Sequence, residues 1–74
     1  MLYNERIREL REDRRMIQQE VAEVLSVGQR TYSDYENGRT RIPVERLVKL
    51  AALYNVSLDY ISGASNVKRP YPVK

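Results

Sequence analysis

Apolar residues recur at helical rather than strand spacing along this chain, and turn-forming residues cut them into five runs. In the first, Asn4 is a candidate cap, with Glu5 and Glu9 near the positive end of the helix. Ile7 and Leu10 make its apolar stripe, continued by Met16 and Ile17 in the turn. Glu5/Arg8, Arg8/Glu12 and Glu12/Arg15 stand three or four residues apart and read as a solvated face, each pair contributing a few tenths of a kcal/mol. The second run, Gln18–Leu25, turns Val21, Ala22 and Leu25 inward. Ser26-Val27-Gly28 breaks it, and a third run, Gln29–Glu36, ends at Asn37-Gly38. After the loop Arg39-Thr40-Arg41, Pro43 suits the first turn of a fourth helix. Its apolar positions are Val44, Leu47, Leu50, Ala51 and Tyr54. Asn55 ends that helix, Ser57 caps a short fifth one carrying Leu58 and Ile61, and Gly63 closes it. The pattern predicts an all-α fold.

The second and third runs are short and separated by three turn-like residues, the arrangement of two helices meeting at a steep angle. At 100° per residue, Thr31, Tyr32, Tyr35 and Glu36 fall on one arc of the third run. Gln29, Arg30, Ser33 and Asp34 fall on the other. One arc carries two large rings that pack; the other carries hydrogen-bonding groups of the kind that read base edges. This is the layout of a helix-turn-helix with Gln29–Glu36 as the recognition helix.

Around it, QQEVAEVLSVGQRTYSDYENG, ERIRELRED and IPVERLVKLAALYNVSLDYISG resemble the phage-repressor-like helix-turn-helix regulators, the XRE family. The likeness covers about Asn4 to Gly63, and TYSDYENGR with NVSLDYISG carries most of its specificity. It implies a compact five-helix, lambda-repressor-like DNA-binding domain over residues 1–63, with the helix-turn-helix at helices 2 and 3. It also implies an arginine–glutamate pair between the first and third helices, here Arg11 and Glu36, and a glutamine that holds the DNA backbone, here Gln18. The chain departs from the family pattern at four places. Arg15 stands where the first helix ends at a glycine, and Ile17 where a Ser or Thr caps the second. Ser26 replaces the turn glycine, and Gly28 the cap of the recognition helix. A left-handed Arg15 or Ser26 costs roughly 1 kcal/mol against glycine.

Composition narrows the chemistry. The chain has 74 residues, enough for one small domain, with no cysteine and no histidine. That removes a disulfide framework, a thiolate metal site and the commonest general base. No catalytic residue, metal site, cofactor or small-molecule site is evident, and an enzyme is not expected. Thirteen basic against ten acidic residues give a net charge of +3, which on its own is an ordinary solvated surface. No apolar stretch approaches the roughly 18–20 residues of a membrane span. MLYNERIRELRE places charges where a signal peptide has its apolar core. A cytoplasmic location, prokaryotic or phage, follows by default and from the resemblance. There are six tyrosines and neither Phe nor Trp. Tyr32, Tyr35 and Tyr54 fall on apolar faces and are expected in the core with their hydroxyls reaching the surface, rather than as a stacking platform. Residues 64–74 form a basic, proline-containing tail, either a frayed terminus or an arm toward a partner or DNA.

The expected function is sequence-specific binding of double-stranded DNA by a transcriptional regulator, a repressor, with the recognition helix in the major groove. Gln29, Arg30, Ser33 and Asp34 would face the bases. Arg30 suits guanine and Gln29 adenine; Asp34 has three roles open, accepting from cytosine, orienting Arg30, or repelling wrong sequences. Gln18, Thr31, Asn37, Arg39 and Arg41 would hold the sugar-phosphate backbone, which fixes position without reading sequence. One recognition helix covers few base pairs, so a homodimer on a near-palindromic site is expected, pairing where the family often does, around Tyr60 and Ile61. The alternative is a protein-interaction module on the same fold, an antitoxin or adaptor. Its mark would be an uncharged or apolar outer arc on the third helix.

Overall fold

The computed structural model describes residues 2–68. It contains five helices, α1 (Tyr3–Asp13), α2 (Gln18–Leu25), α3 (Gln29–Glu36), α4 (Val44–Tyr54) and α5 (Leu58–Ser62). All the regular structure among the described residues is helical, and α2 and α3 begin and end where the sequence pattern places them.

The first four helices stop by one mechanism. Each of Arg15, Ser26 and Asn55 is left-handed, with φ of 56°, 58° and 54°, and Gly38 follows at 74°. The next residue's N–H then reaches back to the carbonyl five residues earlier: Met16 to Arg11, Val27 to Ala22, Arg39 to Asp34 and Val56 to Ala51. These are Schellman closures, which satisfy carbonyls that the helix end leaves open. At three of them the closing residue is apolar (Met16, Val27, Val56) and packs in or against the core. The turn thereby adds apolar burial to its hydrogen bonds.

The start of α1 differs from expectation. Leu2, not Asn4, is the first cap position, and its N–H donates to Glu5. Ile17 holds the same place before α2, where its N–H donates to Glu20 at 2.9 Å. A glutamate three residues on thus does part of the work of a missing Ser or Thr. Asn4 lies within α1 and spends its side chain elsewhere.

The helices pack α2 on α3, α4 on α5, and α1 on both α3 and α5. Ile7, Leu10, Val21, Ala22, Leu25, Tyr32, Tyr35, Leu50, Ala51 and Tyr54 meet in one core, closed by Ile42, Leu47, Val56 and Ile61. Tyr32 and Tyr35 meet edge to face, with ring centroids 6.4 Å apart. Several assignments from spacing are corrected. Ile17 and Val44 are 62% and 59% exposed, because no neighbouring helix reaches them. Thr31 is exposed rather than inward. Tyr35 meets Arg46 through its hydroxyl, but the hydroxyls of Tyr32 and Tyr54 are buried and do not reach the surface. Ile61, expected on a dimer surface, is 0% exposed. α5 is pressed against α1 and α4, so Ile61 fills the protomer's own core and offers nothing to a partner.

Beyond α5, Arg6 anchors the chain. Its guanidinium donates to the carbonyl of Tyr60 at 2.9 Å and to the Asn66 side chain at 3.0 Å, and lies 3.9 Å over the Tyr60 ring. Of the expected tail, residues 69–74 lie outside the described residues.

Candidate nucleic-acid interface

The interface is assembled around Glu36, the last residue of α3, whose side chain is fully buried. Arg11 grips it with two nitrogens, Nε to Oε2 at 2.7 Å and Nη2 to Oε1 at 3.1 Å. A third Arg11 nitrogen donates to the Met16 carbonyl at 2.9 Å, which fixes the guanidinium in the α1–α2 turn. Gln18, at the start of α2, donates to Oε1 at 3.1 Å. Three helices therefore meet on one carboxylate. Burial alone pushes the Glu36 carboxyl up. Hydrogen bonds from Arg11 and Gln18, the adjacent Tyr32 hydroxyl and the charge of Arg11 outweigh it, so the group is held below the usual carboxylate value. The same contact raises Arg11. Burial pushes Tyr32 up, with the Glu36 charge adding to it, and pushes Tyr54 up to about 12.

The backbone end of α3 is held as firmly. Arg8 Nη2 and Asn4 Nδ2 both donate to the Glu36 carbonyl, each at 3.3 Å. Arg8 also donates to Asn37 Oδ1 at 3.0 Å, and Asn37 Nδ2 donates to Ser33 Oγ at 3.3 Å. Asn4, Arg8 and Arg11 are spaced by four and three residues and so share one face of α1. Family resemblance implies the Arg11 contact alone, and glutamates at helical spacing give Arg8 a simpler local account.

On the other side of α3, Gln29, Arg30 and Thr31 are exposed, while Ser33 and Asp34 are half-buried. Asp34 does not turn back toward Arg30. Its carboxylate stands 3.9 Å from Arg39, and its carbonyl accepts from the Arg39 and Thr40 N–H groups. The loop that follows is also tied to α1: the Tyr3 hydroxyl accepts from the Ile42 N–H at 3.2 Å and donates toward the Thr40 carbonyl. Asn37, Arg39 and Arg41 are exposed along this edge, with Arg39 at 72%. Among the expected backbone-contact residues only Gln18 is half-buried, and its amino group is engaged by Glu36, as that of the exposed Asn37 is by Ser33.

Beside the loop lies an open groove of about 510 Å³ lined by Tyr3, Ile42, Pro43, Val44 and Leu47, with Arg41 at one side. Its walls carry few polar groups of the kind that fix a small ligand's orientation. Among the described residues, no helix is long and apolar enough to cross a membrane.

Known proteins are similar to this chain in sequence and in fold. The helix-turn-helix family model HTH_3 matches residues 7–61. The chain is 35% identical over 69 residues to the HTH-type transcriptional regulator YobD of Bacillus subtilis, covering 93% of this chain and 62% of that protein. It is 39% identical over 57 residues to the cryptic phage CTXphi transcriptional repressor RstR of Vibrio cholerae, covering 77% of this chain and 51% of RstR. A crystal structure of a transcriptional regulator from Listeria innocua superposes with a TM-score of 0.79 at 30% identity, over 82% of this chain and 57% of that one. The chain thus spans between half and two thirds of the length of these relatives.

Proposed function

We propose, from the premise that this chain belongs to the helix-turn-helix family HTH_3, that it is a transcriptional repressor that binds double-stranded DNA sequence-specifically through α3. The observation that carries this reading is the asymmetry of α3. Its inner residues Tyr32, Tyr35 and Glu36 are locked into the core, while Gln29, Arg30 and Thr31 stand free on the opposite side. A reading element must be held rigidly while its polar groups stay unspent, because ordering them at binding costs affinity. Eight residues of helix span about 12 Å, comparable with the width of the major groove, about 12 Å. RstR is a repressor by name, which supports that sense of regulation.

In this reading Arg30 donates two hydrogen bonds to a guanine and Gln29 pairs with an adenine. Ser33 and Asp34 approach the neighbouring bases, with Asp34 restrained by Arg39. Thr31, Asn37, Arg39 and Arg41 hold phosphates. Gln18 contributes there through the amino hydrogen that Glu36 leaves unused. The active species is a homodimer pairing around α5, where Leu58 stays 38% exposed and Tyr60 is half-buried.

Selection of bound duplexes from a random pool, followed by gel shifts, tests both statements. The expected product is one sequence repeated as symmetric half-sites about 34 Å apart. Recovery of no preferred sequence overturns sequence-specific reading, and a single unrepeated half-site overturns the dimer.

A further inference from the structure

Arg8 belongs to α1, where Glu5 and Glu12 at helical spacing make it read as a surface charge, although its Nε lies 3.5 Å from the buried Glu36 Oε1. Its Nη2 nitrogen nonetheless makes two long-range bonds, to the Glu36 carbonyl and to Asn37 Oδ1. A guanidinium has only donors to offer. The face of the Asn37 amide turned to Arg8 must therefore be its oxygen, and the face turned to Ser33 must be its amino group. The 3.3 Å bond from Asn37 Nδ2 to Ser33 Oγ follows from that constraint. Ser33 thus accepts from Asn37, and its own hydroxyl proton is not consumed there.

We propose that Arg8 is a positioning residue for base reading: through Asn37 it keeps the Ser33 hydroxyl supplied with a free proton for an acceptor on a base edge. This rests on the DNA-binding reading above and deepens it. In the major groove guanine and thymine present only acceptors, adenine presents one acceptor and one donor, and cytosine presents only a donor. A serine with its proton free favours guanine, thymine or adenine at the position it faces and disfavours cytosine. If Arg8 were lost, the Asn37 amide could turn over, take the proton from Ser33, and relax that preference. Were Asn37 a carboxylate, it would always take the proton. Ser33 would become an acceptor only and favour cytosine or adenine.

The experiment is selection from a random duplex pool by the wild-type chain and by Arg8→Met, Arg8→Lys and Asn37→Asp, with circular dichroism on each. In Arg8→Met, discrimination against cytosine at one base pair per half-site should fall by roughly 3- to 10-fold, the effect of one hydrogen bond, with the other positions unchanged. Arg8→Lys should restore it, since both bonds leave from a single nitrogen and an ammonium has donors for both. Asn37→Asp should weaken binding overall yet move that base pair toward cytosine or adenine. Asn37 is exposed at the end of α3, so this variant stays informative even if Arg8→Met fails to fold. A wild-type chain that selects nothing overturns the DNA reading and this one together. A wild type that selects a site, with unchanged preference in Asn37→Asp or in a folded Arg8→Met, overturns the role of Arg8 alone.

Discussion

Arg15 and Ser26 occupy left-handed backbone conformations, with φ near 57° in both, that a side chain resists by roughly 1–2 kcal/mol because Cβ crowds the following carbonyl. Each tolerates this because the turn it makes closes two hydrogen bonds and tucks Met16 or Val27 against the core. At Ser26 glycine should therefore be better. Ser26→Gly relieves the crowding, at the cost of a more flexible unfolded chain, for a net gain of about 0.5–1 kcal/mol. Urea unfolding should show a higher midpoint with an unchanged slope; a lower midpoint would mean that the serine side chain makes a contact worth more than the strain. Both residues were identifiable in the sequence, as side chains standing where the family pattern has glycine. The apolar residue after each left-handed position was the further sign, since Met16, Val27 and Val56 repeat it at three helix ends.

Between elements, the buried Glu36 carboxylate joins α1, α2 and α3, and its charge is what makes the joint work. Its carboxyl lies below the ordinary value of 4.5, so the unfolded chain binds this proton more readily than the folded one. The stabilisation is full above about pH 4.5 and is lost as pH falls through the folded value. Unfolding midpoints in urea should therefore drop between pH 6 and pH 3. Glu36→Gln should lose about 3–5 kcal/mol at pH 7, because it leaves the Arg11 guanidinium partly buried without its counter-charge. The gap between wild type and variant should narrow as the solution is acidified, and a constant gap would assign the acid sensitivity to other carboxylates. How legible this joint was depends on the range of each contact. The inward arc of α3 placed Glu36, and family likeness supplied Arg11. Asn4 and Arg8 share the Arg11 face, but their partners lie 32 and 28 residues away, and helical spacing carries no record of such a partner. The same limit explains Ile61 and Val44. Periodicity says which residues share a face, but only the packing of other helices decides whether that face is covered.

Across the whole molecule, the basic residues near α3 divide into two settings that the same charge count would treat alike. Arg30 projects from the exposed side of a helix whose other side is fixed in the core. Arg41 is exposed in the loop whose backbone Tyr3 ties to α1 at Thr40 and Ile42. On the proposed function, Arg30 meets base edges and Arg41 meets phosphates, and loss of each should leave a different trace. Arg30→Ala should cost about 1–3 kcal/mol on the selected operator and relax preference at one base pair per half-site. On a scrambled duplex it should bind nearly as the wild type does. Arg41→Ala should weaken operator and scrambled duplex by similar factors and leave the preferred sequence alone. It should also flatten the plot of log affinity against log salt by about 0.9 for each phosphate contact removed, hence about 2 for a dimer. Salt titrations of both variants on both duplexes decide the matter. Equal weakening of the two duplexes by Arg30→Ala, or a changed base preference in Arg41→Ala, would mean that the exposed side of α3 is not the surface that reads sequence.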